Sequence, residues 1–210
     1  MKYVVKLGGA GLENPSLLAG CTRAIADLVR DGNQVAVVHG GGVQLTRTLK
    51  ALGLESEFID GLRVTDAETR DAALMVFAGR VNKTLVAAFS TLGQPAVGLC
   101  GGDGMIFRAR KKRMASDLGF VGEIAASDVR WLDAIWQLNG VPVLCSMALG
   151  FDGEYYNINA DEMAAACAIA CREALLNGVK RVRILPAEAA GSLPDLCSSR
   201  VTHGTEVMVA

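Results

Sequence analysis

Short apolar runs that end abruptly in glycine constrain this chain more than any other feature. Residues 3–7 lead straight into Gly8-Gly9, and residues 34–38 lead into His39-Gly40-Gly41-Gly42. A run of strand length with no polar alternation marks a strand covered on both faces. Glycines directly after it permit a tight turn into a helix. Residues 95–99, 141–144 and 181–185 repeat the pattern. Helical stretches lie between them, over residues 15–30, 44–52, 66–92 with a break, 127–138 and 160 to about 176. Asn14-Pro15, Asp66 and Ser127 supply N-cap or N1 chemistry at the starts. Strands alternating with helices build βαβ units, so the sequence predicts an α/β fold around a mostly parallel sheet. Residues 55–65, 105–123 and 151–157 read as hairpins or loops on its rim. No repeat, linker or low-complexity tract interrupts residues 1–210, which predicts one domain.

Composition narrows the function. Hydrophobic residues make up 51% and charged residues 20%, so a packed core is expected and a disordered chain is not. With 21 Lys+Arg against 22 Asp+Glu, no basic excess is available to neutralise many phosphates, which argues against a nucleic-acid partner. Unbroken apolar runs fall far short of the roughly 18 residues of a membrane span, and Lys6 interrupts the first of them. The expectation is a cytoplasmic protein with no membrane partner. Cys21, Cys100, Cys145, Cys167, Cys171 and Cys197 are spread through a chain with ample core, so they read as reduced, buried thiols. Cys167 and Cys171 have ligand spacing on a helix, but there is no CxxC, and His39 and His203 are the only histidines. No metal site built by the protein alone is therefore expected.

In an open parallel sheet, ligands gather at the carboxyl ends of the strands, where the glycine turns lie. Lys6 sits inside the first strand, and a buried ammonium is costly unless it meets an anion. Gly40, Gly41 and Gly42 let the backbone approach a ligand, with a helix N-terminus behind them that favours negative charge. A third turn spans residues 98–104. None fits the GxxxxGK[ST] or GxGxxG spacing. Each alone is compatible with plain turn geometry; two after consecutive strands, with a strand lysine, point to phosphate. Asn157-Ile158-Asn159-Ala160-Asp161 opens the alanine-rich helix, with Asn159 suited to capping it and Asn157 facing the same side. Asp161 then either orients Lys6 or holds magnesium. Arg63 either forms a fork to a carboxylate or is a solvated surface residue.

Several ordered motifs carry a resemblance that covers residues 1 to about 170. They are Lys6-Leu7-Gly8-Gly9, His39-Gly40-Gly41-Gly42, Gly61-Leu62-Arg63-Val64-Thr65, Val81-Asn82-Lys83, Gly102-Asp103-Gly104, residues 119–122 and residues 156–161. Together they resemble the acetylglutamate kinases of the amino acid kinase family. The resemblance implies a three-layer α/β/α sandwich that uses MgATP to phosphorylate the side-chain carboxylate of N-acetyl-L-glutamate, in arginine biosynthesis. It implies that Lys6 stabilises the transferring phosphoryl group and that Asp161 organises that lysine. Gly8, Gly9 and Gly40 would approach the nucleotide phosphates, while Gly41, Gly42, Arg63 and Asn157 would hold the acetylated amino acid. A glutamate side chain, with pKa about 4.3, is already ionised at neutral pH, so catalysis needs positioning and charge neutralisation and no general base.

The chain also departs from that family. After the Asn-x-Asn-Ala-Asp helix the family has a strand, loops around the nucleotide base and a Gly-Gly-Met motif followed by a second catalytic lysine. Here residues 171–179 look like the helix that should come after all of these, which leaves two alternatives near Ala170/Cys171: a segment of several dozen residues that belongs there and is not among these 210, or a genuine internal deletion that leaves the nucleotide-binding part incomplete. Lys180 is not assigned the absent lysine's role. Two rival readings follow: a sister kinase for a carrier-linked aminoadipate, and a non-catalytic remnant that keeps the acetylglutamate pocket. The family's arginine-inhibited hexamers carry an extra N-terminal helix, whereas Met1-Lys2 leads straight into a strand. An apolar helix over residues 72–78 then suggests an arginine-insensitive homodimer, against the plainer reading of a buried core helix.

Overall fold

A computed structural model describes residues 2–173, 182–184 and 205–207. In chain order its first half runs β1 (Lys2–Leu7), α1 (Gly9–Glu13), α2 (Pro15–Arg30), β2 (Gln34–His39), α3 (Gly42–Ala51), β3 (Phe58–Ile59), β4 (Leu62–Arg63), α4 (Ala67–Leu74), a π-helical segment (Met75–Val81) and α5 (Asn82–Ser90). The second half runs β5 (Ala96–Cys100), β6 (Phe107–Lys111), β7 (Val121–Ser127), α6 (Arg130–Gln137), β8 (Val141–Cys145), β9 (Met147–Gly150), β10 (Tyr155–Ile158), α7 (Ala160–Glu173), β11 (Val182–Ile184) and β12 (Thr205–Val207).

The central sheet has the order β1-β2-β8-β5, all parallel, with Val5 opposite Val37 and Val37 opposite Val143. Its strands are apolar on both sides because both sides are covered. Val5, Val35, Val37, Val141 and Val143 pack on Ile25 and Leu28 of α2 and on Leu85 and Phe89 of α5. Their neighbours Val4, Ala36, Val38 and Leu144 point the other way, onto Leu132 and Trp136 of α6 and Met163, Ala164 and Cys167 of α7. Ile25, Leu85 and Phe89 are fully buried, each worth about 1.5–3 kcal/mol over an exposed position. Helices on both faces of a parallel sheet make the expected α/β/α sandwich.

Two helix starts follow the sequence closely. Asn14 Oδ1 accepts from the Ser16 and Leu17 amides at 2.9 and 3.2 Å, with Pro15 at N1, and an Asp66 carboxylate oxygen accepts from Thr69 N at 2.8 Å. Ser127 does not cap. It ends β7, and the Asp128 carboxylate instead accepts from the Arg130 amide at 3.1 Å, because the strand pairs Ser127 with Phe107. The expected break within residues 66–92 is absent too. Helix continues through Met75–Val81 as wider π turns, which keep Val76, Phe77 and Val81 buried without interrupting the backbone ladder. Ala67–Ser90 is thus 24 residues long and, by length and composition alone, apolar enough to cross a membrane, which the count of unbroken apolar runs missed. Its buried side chains meet the protein's own core, on α3 and on α2 and the central sheet.

The rim segments are more organised than the expected hairpins and loops. Residues 58–63 do form the β3–β4 hairpin, with Phe58 opposite Arg63. Strands β6, β7, β9 and β10, however, close on one another in the order β10-β7-β6-β9, with β10/β7 and β6/β9 parallel and the other two pairs antiparallel. Phe107, Ala109, Ala148, Tyr156 and Ile158 of this small barrel join the core beneath α7. Half of its ladders join strands distant in sequence, which local patterning does not reveal. Cys21, Cys100, Cys145, Cys167 and Cys171 are buried and in no disulfide among the described residues; Cys197 lies outside the described residues, as does the expected helix end beyond Glu173.

Candidate functional site

A cleft of about 200 Å³ opens where β2, β8 and β10 end, bordered by the first turn of α3, the β3–β4 hairpin and the start of α7. Gly40, Gly41, Gly42, Arg63 and Asn157 all line it, so five of the residues singled out from sequence meet at one place. A side chain on Gly42 would meet nothing within 4 Å, whereas a Cβ on Gly41 would come 2.8 Å from the Phe77 ring. Gly41 is therefore required by the packing of the π segment, and Gly42 leaves its face of the cleft open.

Lys6, Asp161, Gly8 and Gly9 form a second group, outside the residues that line this cleft. Lys6 Nζ lies 3.2 Å from the Asp161 carboxylate, a pairing across the ends of β1 and α7. The lysine side chain keeps 22% of its exposure and the aspartate 60%, so the pair is reachable from solvent. A Cβ on Gly8 would sit 3.3 Å from Lys6 Nζ; the glycine leaves room over the ammonium for another group. Gly9 begins α1. The two groups adjoin through Asn159 and Ala160, which line the cleft and directly precede Asp161.

Arg63 is neither at a solvated rim nor surface-exposed; it is 8% exposed. It donates to Ser56 Oγ, to Thr46 Oγ1 at 2.8 Å and to the Gly42 carbonyl at 3.2 Å, and its guanidinium stacks 4.5 Å from the Phe58 ring centroid. Burial lowers its pKa from the ordinary arginine value. Among the described residues every acceptor it has is neutral. A buried guanidinium served only by neutral oxygens at the edge of a cleft is set to bind an anion. The two asparagines divide as chemistry suggests. Asn159 Oδ1 accepts from the amides of Asp161 and Glu162 and caps α7, while Asn157 Nδ2 donates to Thr65 Oγ1 at 3.3 Å and stays in the cleft.

Three neighbours were not read as site residues from the sequence. Ser146 follows β8, is 2% exposed, lines the cleft, and its hydroxyl makes no hydrogen bond among the described residues. His39 is fully buried, with Nδ1 2.7 Å from the Gly40 carbonyl and Nε2 3.0 Å from Asn82 Nδ2. Burial pushes its pKa down to about 4, so the ring is neutral at pH 7. Asn82 is fully buried as well and gives its other amide hydrogen to the Val143 carbonyl at 2.8 Å. The only cue was that both stand within motifs, with nothing to say that they touch across 43 residues. Among the described residues no three His, Cys, Asp or Glu side chains gather to cage a metal. Asp161 offers one carboxylate, a donor set that suits a magnesium ion arriving on phosphate oxygens.

Comparison with known proteins places this geometry. The sequence profile of the Amino acid kinase family matches residues 1–183. An acetylglutamate kinase of Acidobacterium capsulatum is 64% identical over an alignment of 260 residues that takes in 100% of both chains. A second, from Koribacter versatilis, is 45% identical over 258 residues and 99% of each. This chain has 210 residues, so 50 positions of the 260-residue alignment have none of its residues opposite them. Among solved structures, an N-acetylglutamate synthase of Neisseria gonorrhoeae complexed with coenzyme A and N-acetyl-glutamate superposes with a TM-score of 0.76 at 21% identity, over 97% of this chain and 57% of that one. At that identity the likeness is one of fold. By profile, by full-length similarity and by architecture, the chain belongs to the amino acid kinase family.

Proposed function

We propose that this chain is an acetylglutamate kinase, transferring the γ-phosphoryl group of ATP to the side-chain carboxylate of N-acetyl-L-glutamate in arginine biosynthesis. The observation that carries this reading is the 64% identity to an acetylglutamate kinase along the whole of both chains. The cleft supports it with a buried guanidinium that has no anionic partner among the described residues, beside glycine amides at a helix N-terminus.

A carboxylate oxygen of the substrate attacks the γ-phosphorus, the bond to the β–γ bridging oxygen breaks, and an acyl phosphate and ADP result. The nucleophile is ionised at neutral pH, so the protein's task is to bring two anions together and meet the charge on the phosphoryl oxygens. In this reading Arg63 and Asn157 hold the acetylated amino acid, with Gly41 and Gly42 beside it. Gly8, Gly9 and Gly40 approach the phosphates, Lys6 meets the transferring group, and Asp161 keeps Lys6 in place. Magnesium, carried on the phosphates, would neutralise further charge, with the Asp161 carboxylate as the available protein ligand.

The chain acts as one kinase domain whose nucleotide-binding part is shortened, in keeping with the 50 uncovered alignment positions. Buried free thiols suit the reducing cytoplasm. The same shortening favours one second reading, an acetylglutamate-binding remnant without transfer. ADP release measured with and without acetylglutamate tests the proposal: release that depends on acetylglutamate supports it, and release at the ATPase background alone rejects it.

A further inference from the structure

Glycine leaves a peptide plane free to turn, yet a turn that binds an anion through its amides must hold them still. At the Gly40–Gly42 turn the constraint comes from behind. The Gly40 carbonyl can only accept a hydrogen bond, so the His39 nitrogen 2.7 Å away, Nδ1, must carry the proton. The ring's other nitrogen then presents a lone pair, and Asn82 Nδ2 donates to it at 3.0 Å. Asn82 is itself oriented from both ends. Its second amide hydrogen goes to the Val143 carbonyl at 2.8 Å, and Lys83 Nζ donates to its Oδ1 at 3.2 Å. Strand β5 carries a glycine at the point of closest approach, since a Cβ on Gly98 would fall 1.8 Å from Asn82 Oδ1.

No peptide bond among the described residues is cis, so the Gly40 carbonyl and the Gly41 N–H point in opposite directions. With the carbonyl pinned on the imidazole, the Gly41 N–H points away from it. Gly41 is buried, lines the cleft, and its amide makes no hydrogen bond among the described residues. A buried N–H with no protein acceptor is uncommon and costs free energy unless a ligand or water meets it. A flipped peptide would present the carbonyl oxygen to the cleft and repel any anion there.

We propose that His39, held by Asn82, is a positioning residue that locks the Gly40–Gly41 peptide so that the Gly41 amide is a fixed hydrogen-bond donor to the anion in the cleft. This rests on the kinase reading, in which that anion is the acceptor carboxylate or the phosphoryl group it attacks. The role needs the Nδ1–H donor and the neutral tautomer, and does not need the ring's bulk.

A matched pair of amide substitutions separates the role from core filling. His39→Asn can place an N–H near the Nδ1 position and loses the link to Asn82. His39→Gln can place an acceptor near Nε2 for Asn82 and loses the donor to Gly40. His39→Gln is expected to lower kcat about 100-fold, the scale of removing one fixed donor, with KM for ATP within about threefold. His39→Asn is expected to keep most of kcat, whichever of the two has the lower Tm. If the two lose activity in proportion to their loss of Tm, or neither loses it, His39 is a core residue and the proposal falls. Imidazole ¹⁵N NMR of the wild-type protein is a second measure that needs no variant to fold: an Nδ1–H tautomer supports the lock and an Nε2–H tautomer overturns it. Wild-type protein with no acetylglutamate-dependent ADP release would sink the kinase reading instead. The tautomer, and movement of the Gly41 amide resonance on adding acetylglutamate, would then still decide the lock.

Discussion

Lys6 and Arg63 are two cations held in different ways, and the difference predicts different kinetic defects. The Lys6 ammonium is part-exposed and 3.2 Å from a carboxylate that is itself mostly exposed, an arrangement that holds the lysine loosely and leaves it free to act on charge arising during transfer. Lys6→Ala should abolish phosphoryl transfer while circular dichroism stays that of the wild type. Retention of more than about a tenth of kcat, roughly 1.4 kcal/mol of barrier, would exclude the role. Arg63 is buried and held by three neutral acceptors among the described residues, so in the proposed role it would meet the substrate carboxylate equally in ground and transition states. Arg63→Ala should raise KM for acetylglutamate much more than KM for ATP, and Arg63→Lys should rescue it poorly because an ammonium lacks the planar fork. An equal rise in both KM values would place Arg63 against the nucleotide. Lys6, Asp161 and Asn157 were legible in sequence because a lysine inside an apolar strand and paired asparagines ahead of a helix are chemically out of place. Ser146 was not, since a lone serine after a strand has no local oddity, and its hydroxyl acquires meaning only from the cleft that the residue lines.

The strands and α2 were the most legible elements, because unbroken apolar runs bounded by glycine and an Asn-Pro cap each have one dominant structural reading. The small barrel and the π segment were not, because one depends on pairing between distant strands and the other on a wider turn that apolar periodicity does not report. What joins the elements at the site also escapes sequence: one imidazole connects the end of β2 to the start of α5, and through Asn82 to β8. That connection has a pH signature. Burial lowers the His39 pKa from 6.5 to about 4, with the nearby Lys83 charge adding to the effect. The unfolded chain therefore takes up a proton that the folded one refuses. The stabilisation is complete above about pH 6.5 and is lost as pH falls toward 4, amounting to roughly 3 kcal/mol over that interval. Asp66, whose carboxyl is held below its usual range by the Thr69 amide, adds a loss at more acidic pH. Urea unfolding between pH 7 and pH 4 should show this slope in the wild type and a shallower one in His39→Asn. Equal slopes would mean that His39 is protonated in the folded protein.

For the whole molecule, the long helix decides how much apolar surface is left over for assembly. Ala72, Ala73, Val76 and Phe77 are buried within the subunit, so the core accounts for most of the apolar stretch, while Met75 remains 63% exposed with half-buried Leu74 and Ala78 beside it. We retain the expectation of a two-fold homodimer through this narrower strip. Light scattering at micromolar concentration should give a dimer, and a monomer or a hexamer would rule it out. Whether a chain with 50 alignment positions uncovered still transfers phosphate to a carboxylate is decided by trapping the product. Protein whose intact mass matches the 210-residue sequence is incubated with MgATP, N-acetyl-L-glutamate and hydroxylamine, which converts an acyl phosphate into a stable hydroxamate. Acetylglutamyl hydroxamate should form in step with ADP and be absent when either substrate is withheld; calorimetric binding of acetylglutamate with no hydroxamate would leave a binding remnant in place of a kinase.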